Sequence, residues 1–510
     1  MNFSHSFFRP FFLKIGFFFF GLISLSAEEK PPNIVFILAD DMGYGDVKCY
    51  NPERCLIDTP QMDKLAKEGM RFTDAHSSSA VCTPTRYSVL TGRYNWRTHL
   101  QKGVLYGYGE PLIDSSRMTV ASFLKQHDYV TACVGKWHLG LGLPTTGGAL
   151  EGAEEGKKVP ANIDWTGTIT GGPVALGFDY FYGISASLDM HPYIYIHNDR
   201  FVGVPTTTKA FQRKGPAHVD FEAVDVLPEI GRKTVEFIHK QKSEKPFFIY
   251  VPLTSPHTPI VPSKKWKGKS SLGRYGDFQM ETDAVIGQIA QALDDSGLGK
   301  NTLLIVTSDN GCSRAAKIGQ MNEKGHYPSA HLRGSKADLW EGGHRVPFIV
   351  RWPAKVKAGT RSDELICQSD LLATCAELLG QKLPENAGED SESFLSALLG
   401  NAIEPKRAGV IHHSISGHFA YRHGKWKLLL AKGSGGWTSP SEKQVSKDAP
   451  EAQLYDLEQD PGETTNLYEE KPEIAKKLLA LLENDVQRGR STPGTEQKND
   501  VSRIKLWKNK

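Results

Sequence analysis

The sequence predicts an α/β protein: a mainly parallel sheet sandwiched by helices, followed by a smaller C-terminal subdomain of antiparallel strands plus a helix. Short, wholly apolar runs alternate with segments of helical periodicity as far as Gly380. Past residue 400 the apolar runs shorten and recur at hairpin spacing. No repeat at solenoid spacing competes with that order. A chain of 510 residues, 39% hydrophobic and 10% aromatic, can build a large core and is not disordered over most of its length. Its 61 Lys+Arg against 58 Asp+Glu leave a formal charge of +3, which argues against coating nucleic acid or an anionic membrane.

Each element has a local reason. Asn33–Leu38, Tyr129–Val134, Pro246–Leu253, Asn301–Thr307 and Val346–Trp352 are apolar runs of strand length. Pro60–Lys67 reads as a helix after Thr59, with Pro at its first position and Gly69 past its end. In Glu281–Leu293, Ala284, Val285, Ile289 and Leu293 fall at helical spacing, and Leu371–Leu379 is a helix ended by Gly380. The Gly- and Thr-rich stretch 141–175 reads as a long loop. Pro384–Glu404 reads as a junction, with Ser391–Leu399 as a short helix. Val410–His413, Ala420–Arg422, Trp426–Ala431 and Gln453–Asp456 then read as short strands before an amphipathic helix, Ile474–Val486. The organisation expected is a signal peptide over 1–27, a main domain over 28–400, the subdomain over 401–490 and a loose polar tail over 491–510.

The signal assignment rests on order. Arg9 and Lys14 precede the apolar run 15–27, and the small residues Ser24, Ser26 and Ala27 stand before Glu28. That run is shorter than the roughly 20 residues a spanning helix needs, so export to the periplasm or outside the cell is expected, without stable membrane insertion after signal cleavage; an uncleaved anchor, lengthened by the Phe-rich flank 7–13, is the alternative. Seven cysteines are present, so at least one lacks an intrachain partner; Cys49 and Cys55 are near enough in sequence to pair, and Cys375 reads as core.

The polar residues at the strand ends point to chemistry. The strand at Asn33 runs into Asp40-Asp41, that at Tyr129 into Lys136-Trp137-His138, that at Pro246 into Ser255-Pro256-His257, and that at Asn301 into Asp309-Asn310-Gly311. In open α/β sheets ligands bind beyond the carboxyl ends of strands. Singly these residues are ordinary caps and turns; together they are not. Asp40, Asp41, Asp309 and Asn310 offer oxygen alone, which suits a hard cation, Ca²⁺ or Mg²⁺, rather than zinc. A further segment, Val81 to Arg86, opens a helix that Gly92 ends, with Thr83 suited to the cap and Pro84 to the first helical position. Cys82 would then sit at the positive end of that helix, with Arg86 one turn on.

Cys82-Thr83-Pro84-Thr85-Arg86 resembles the Cys-x-Pro-x-Arg signature of the formylglycine-dependent (type I) sulfatases of the alkaline phosphatase superfamily. The resemblance continues in Ser88–Arg93, Asn33–Gly45, Gly135–Gly140, Ser255–Pro259, Thr307–Gly311 and Gly334–Lys336. It extends to Leu454–Leu457 with Asp460–Glu463, and so covers most of the mature chain. It implies an alkaline-phosphatase-like fold, one bound calcium ion held by Asp40, Asp41, residue 82, Asp309 and Asn310, and conversion of Cys82 to 3-oxoalanine (formylglycine) by a separate maturation enzyme. One hydroxyl of the hydrated aldehyde would attack sulfur, with Arg86, Lys136 and Lys336 compensating charge. By the same resemblance His257, assisted by Lys336, protonates the leaving alcohol, and His138 takes the proton whose loss expels sulfate.

Specificity is expected from loops above the sheet edge: Asp189, His191 and Arg200, with Trp165, Tyr180–Tyr182 and Tyr193 as aromatic candidates. A sulfated carbohydrate is the expected substrate, with a galactose-type unit as the candidate sugar. A phosphatase or phosphodiesterase of the same superfamily is the rival enzyme, disfavoured because those generally use Ser or Thr and often two metals. A non-catalytic glycan-binding relative is disfavoured because no catalytic His or Lys is missing.

Overall fold

The computed structural model describes residues 1–8, 10, 30–153, 156–241 and 244–508. Residues 9 and 11–29, on which the signal assignment rests, lie outside those described. Contacts divide the chain into Met1–Lys30 and a compact unit, Pro31–Lys510. Among the described residues no helix is long and apolar enough to cross a membrane.

The larger unit is built on a ten-stranded sheet. Its middle is parallel, in the order Thr302–Ser308, Asn33–Asp40, Phe247–Pro256, Val130–Lys136, Tyr180–Ile184. On one flank Phe348–Arg351 runs antiparallel to Thr302–Ser308, and Met70–Phe72 and Thr360–Ser362 lie beyond it. On the other the short strands Ile196–His197 and Arg200–Phe201 close the sheet.

Alternation along the central strand sorts its side chains into two cores. Ile34, Phe36 and Leu38 pack on one side and Val35, Ile37 and Ala39 on the other. All six are fully buried. Burying them contributes on the order of 10 kcal/mol before chain entropy is subtracted. On one face Cys82–Thr91, Val120–Gln126 and Leu371–Leu378 cover the sheet; on the other Pro60–Glu68, Ala223–Lys240 and Arg274–Asp295 do. The fold class is therefore the one expected. Most of the expected strands extend by one to three residues at an end.

The C-terminal sheet pairs Val410–His413, Phe419–His423, Trp426–Leu429 and Gln453–Asp456 antiparallel, with the helix Pro472–Gln487 against it. Its core takes in Tyr94 and Trp96 from the chain just after the Cys82 helix.

Three expectations need correction. The tail is docked rather than loose. Arg490, Ser491 and Thr492 are buried, the Asp500 carboxylate takes two bonds from Arg93 at 3.0 Å each, and Ile504, Leu506 and Trp507 pack on the C-terminal core. Its polar composition reflects the buried arginines it pairs with. The Cys82 helix starts at Cys82 itself, with extended Val81 as cap; Thr83 instead receives a bond from the Leu105 backbone N–H at 3.2 Å. Cys49 and Cys55 are both free.

Candidate active site

The carboxyl ends of four parallel strands converge with the start of the Cys82 helix. Asp40 is the last residue of its strand, Lys136 of its own, and Asp309 follows Ser308 directly. Asp41 and His138 both turn the chain with left-handed backbones, φ 66° and 56°, at a cost of order 1–3 kcal/mol each. Those turns aim their side chains back over the sheet edge.

The charges interlock. Lys136 Nζ donates to Asp40 Oδ2 at 2.6 Å, Arg86 to Asp309 Oδ2 at 2.7 Å and Lys336 Nζ to Asp41 Oδ1 at 2.5 Å. Asn310 Nδ2 also donates to Asp41 Oδ1, at 2.8 Å. The Cys82 sulfur lies 3.4 Å from Lys336 Nζ and 3.6 Å from Asp40 Oδ1. His257 Nε2 stands 3.7 Å from Asp41 Oδ2, and its Nδ1 donates to the Thr258 carbonyl at 2.6 Å. His138 Nε2 donates to the Leu105 carbonyl at 2.8 Å, which leaves Nδ1 buried with a lone pair and no partner.

Burial governs the protonation states. It pushes the Cys82 thiol up to about 12, against the pull of Lys136 and Lys336. It lifts Asp309 to about 6, with the Asp40 charge adding to it. Burial opposes charge on Asp40 too, yet Lys136, His257 and Arg86 hold that carboxyl well below the usual range. Burial and then Lys136 keep His138 neutral, well below an ordinary imidazole. Burial opposes the Lys336 charge, yet Asp41, Cys82, Asp40 and Asp309 together hold it well above the ordinary ammonium value.

Three carboxylates against three cations leave the site balanced, but its oxygens are not all satisfied. Among the described residues, Asp41 Oδ2 and Asn310 Oδ1 are buried without a hydrogen-bond partner, and Asp40 Oδ1 meets the thiol and, at 3.7 Å, Arg86. The amide orientation of Asn310 is set by its two donated bonds, to Asp41 and to the Gly311 carbonyl. Orphaned oxygens on adjoining side chains fit a hard divalent cation. Asp40, Asp41, Cys82 and His257 each bring a ligating atom within 4.8 Å of the others.

The substrate candidates divide. Asp189 is buried and paired with Arg213, and His191 is buried and meets the Tyr108 hydroxyl at 3.1 Å. Arg200 is not brought to the cluster; it is exposed on the last strand and donates to the Thr166 carbonyl. Trp165 packs on Phe201, Tyr182 stacks on Tyr195, Tyr180 meets Phe237, and Tyr193 is buried. Sequence reasoning missed Ser187, whose hydroxyl lies 3.3 Å from both Lys136 Nζ and His257 Nδ1. Treating Tyr180–Ile184 as a sheet strand would have placed Ser187 and Asp189 just beyond its end.

A sheet-edge cluster of paired carboxylates, lysines and histidines suits hydrolysis of an anionic ester, and the comparisons make the chain a sulfuric ester hydrolase. A family model described as Sulfatase matches residues 32–381, and one described as N-sulphoglucosamine sulphohydrolase, C-terminal, matches 335–490. An N-acetylgalactosamine-6-O-sulfatase of Bacteroides thetaiotaomicron is 35% identical over 502 residues, spanning 90% of this chain and 93% of that one. Human arylsulfatase A is 33% identical over 465 residues, 86% and 84% of the two chains. A solved structure described under the metabolism of multiple glycosaminoglycans by Bacteroides thetaiotaomicron superposes with a TM-score of 0.77 at 33% identity, covering 89% of this chain and 99% of that chain. The chain belongs to the sulfatase family of the alkaline phosphatase superfamily.

Proposed function

We propose that this sulfatase is exported and hydrolyses a sulfate ester on a galactose-type unit of a sulfated glycan, with 6-sulfated N-acetylgalactosamine as the first substrate to try. The substrate reading is supported by the relative at 35% identity, named for that sugar ester. The reading of the chemistry rests on one observation. Cys82 begins a helix with Lys336 Nζ 3.4 Å from its sulfur, yet burial pushes its thiol up to about 12, against thiolate formation at neutral pH. A residue so placed is a poor nucleophile as cysteine, which favours its conversion, by a maturation enzyme, to formylglycine, whose hydrate supplies the attacking oxygen.

Asp40, Asp41, Asp309 and Asn310, with residue 82, would hold one calcium ion, which supplies positive charge to an anionic ester. Arg86 keeps Asp309 ionised and in place through its 2.7 Å bond. Lys136 and Lys336 flank residue 82 and would take the sulfate oxygens as charge develops. The two histidines have opposite roles because their surroundings differ. His257, with Nδ1 fixed on Thr258 and Nε2 facing Asp41, can carry a proton for the leaving alcohol. His138, neutral and with Nδ1 free, can accept one.

The test is the mass of the tryptic peptide containing residue 82, from protein co-produced with a formylglycine-generating enzyme, alongside sulfate release from 6-sulfated N-acetylgalactosamine. The expected peptide carries the aldehyde. Full desulfating activity from an unmodified thiol would overturn the chemistry.

A further inference from the structure

A cleft of about 340 Å³, within the range of ligand-sized clefts, is lined in part by Gly334 and Ser335, the two residues before Lys336. Its walls come from loops that also carry site residues. Arg314 is four residues beyond Asn310, and Ser335 directly precedes Lys336. Trp437 and Thr438, from the C-terminal subdomain, close the other side.

The cleft is built rather than incidental. Buried Asp338 ties the two walls together: its Oδ2 accepts from Ser335 N at 2.9 Å, and its Oδ1 accepts from Trp437 N at 2.8 Å and Thr438 N at 3.0 Å. The hydroxyls of Ser335 and Thr438 also meet, at 3.1 Å. The Arg314 guanidinium lies 4.7 Å over the Trp437 ring, which orients it, and among the described residues no carboxylate pairs with it. An oriented guanidinium without a carboxylate partner, in a cleft braced by Asp338, suits a ligand with an anionic group.

We propose that this cleft is a subsite for a neighbouring anionic sugar of the substrate, with Arg314 pairing with its carboxylate or second sulfate. The inference rests on the reading of the site as a glycan sulfatase. Recognition of the neighbour would make the enzyme prefer a linked saccharide over the sulfated monosaccharide.

Arg314 is exposed, so Arg314→Ala should fold. The experiment compares wild type, Arg314→Ala and Arg314→Lys on four substrates. These are 6-sulfated N-acetylgalactosamine alone and the same sugar linked to a uronic acid, to a second sulfated sugar, or to a neutral sugar. We expect Arg314→Ala to lose about tenfold in kcat/KM, through KM, on at least one of the two anionic disaccharides. The monosaccharide and the neutral disaccharide should change less than about twofold, and Arg314→Lys should recover part of the loss. Which anionic disaccharide responds tells carboxylate from sulfate. An equal loss on all four substrates, or none on any, overturns the subsite while leaving the sulfatase reading intact. Wild-type inactivity on all four overturns the substrate reading and the subsite with it.

Discussion

Asp309 does two jobs that pull in different directions. It anchors Arg86 by a 2.7 Å ion pair, and it is one of the oxygen donors around the proposed calcium. Burial alone would protonate it, which is why its carboxyl rises to about 6 even beside a guanidinium. Removing it leaves Arg86 with the Lys136 carbonyl at 3.3 Å and, among the described residues, no carboxylate nearer than Asp40 at 3.7 Å. Asp309→Ala should therefore cost about 3–5 kcal/mol of stability. It should also lose bound calcium and reduce kcat/KM by about 10²–10³-fold. Calcium content by elemental analysis, followed beside the melting temperature, separates the two effects. A variant that keeps one calcium and full activity contradicts the role given to this carboxylate.

The strands do more than carry side chains to the edge; their close approach sets where each arrives. Gly183 faces Gly135 across the pairing of Tyr180–Ile184 with Val130–Lys136. A Cβ at Gly183 would fall 1.7 Å from the Gly135 carbonyl oxygen, and Gly135 itself has φ 140°. Lys136, the next residue, is held against Asp40 from that point. Gly183→Ala must push the two strands apart, so we expect a loss of about 1–3 kcal/mol with a fall in activity. Gly319→Ala, in the helix Ile318–Glu323 where a Cβ meets nothing within 4 Å, is the control and should lower neither. Differential scanning calorimetry and kcat/KM on the same preparations decide the matter. Equal behaviour of the two variants would mean that this contact does not position Lys136.

The two sheets are joined by a buried polar cluster. His76, His344 and His412 lie together, with Glu341, Lys427 and Glu463 around them. The His344 and His412 rings stack at 3.7 Å and 12°, which sets their in-plane lone pairs side by side rather than toward one point. Lys427 Nζ lies 3.0 Å from His344 Nε2, 2.9 Å from Glu341 and 2.8 Å from Glu463, so charged pairs run through the seam. Nearby His413 is buried, and burial, with Lys508 and His418 facing it, pushes its imidazole down to about 3. An unfolded chain binds a proton there near pH 6.5, and the folded one does not. Stability is thus lost at this residue as pH falls below about 6.5. Asp283, Glu463 and Asp485, raised to about 7 by burial, act with the opposite sign over the same window. The difference between proteins therefore isolates one group: His413→Gln should gain about 2 kcal/mol relative to wild type between pH 7.5 and 5. Urea unfolding at both pH values measures it, and parallel wild-type and variant profiles would refute the assignment.

The parallel core was legible because its strands are buried on both faces, so their apolar runs are unbroken in the chain. The metal-type oxygens, Cys82, the lysines and the catalytic-type histidines were legible for a related reason: most stand directly after such a run, and sheet geometry delivers strand ends to one edge. Ser187 and Arg314 were not, because a serine or an arginine in a loop has no local signature until a neighbour meets it. The docking of the tail was hidden likewise, since its partners Arg93 and Arg97 are some 400 positions away. What the chain determined by itself is periodicity, chemical type and order. The pairing of charges, the protonation each group adopts and the cleft between the Lys336 loop and the C-terminal sheet arose only on folding. Burial and distance are properties of the packed molecule, and no stretch of residues contains them.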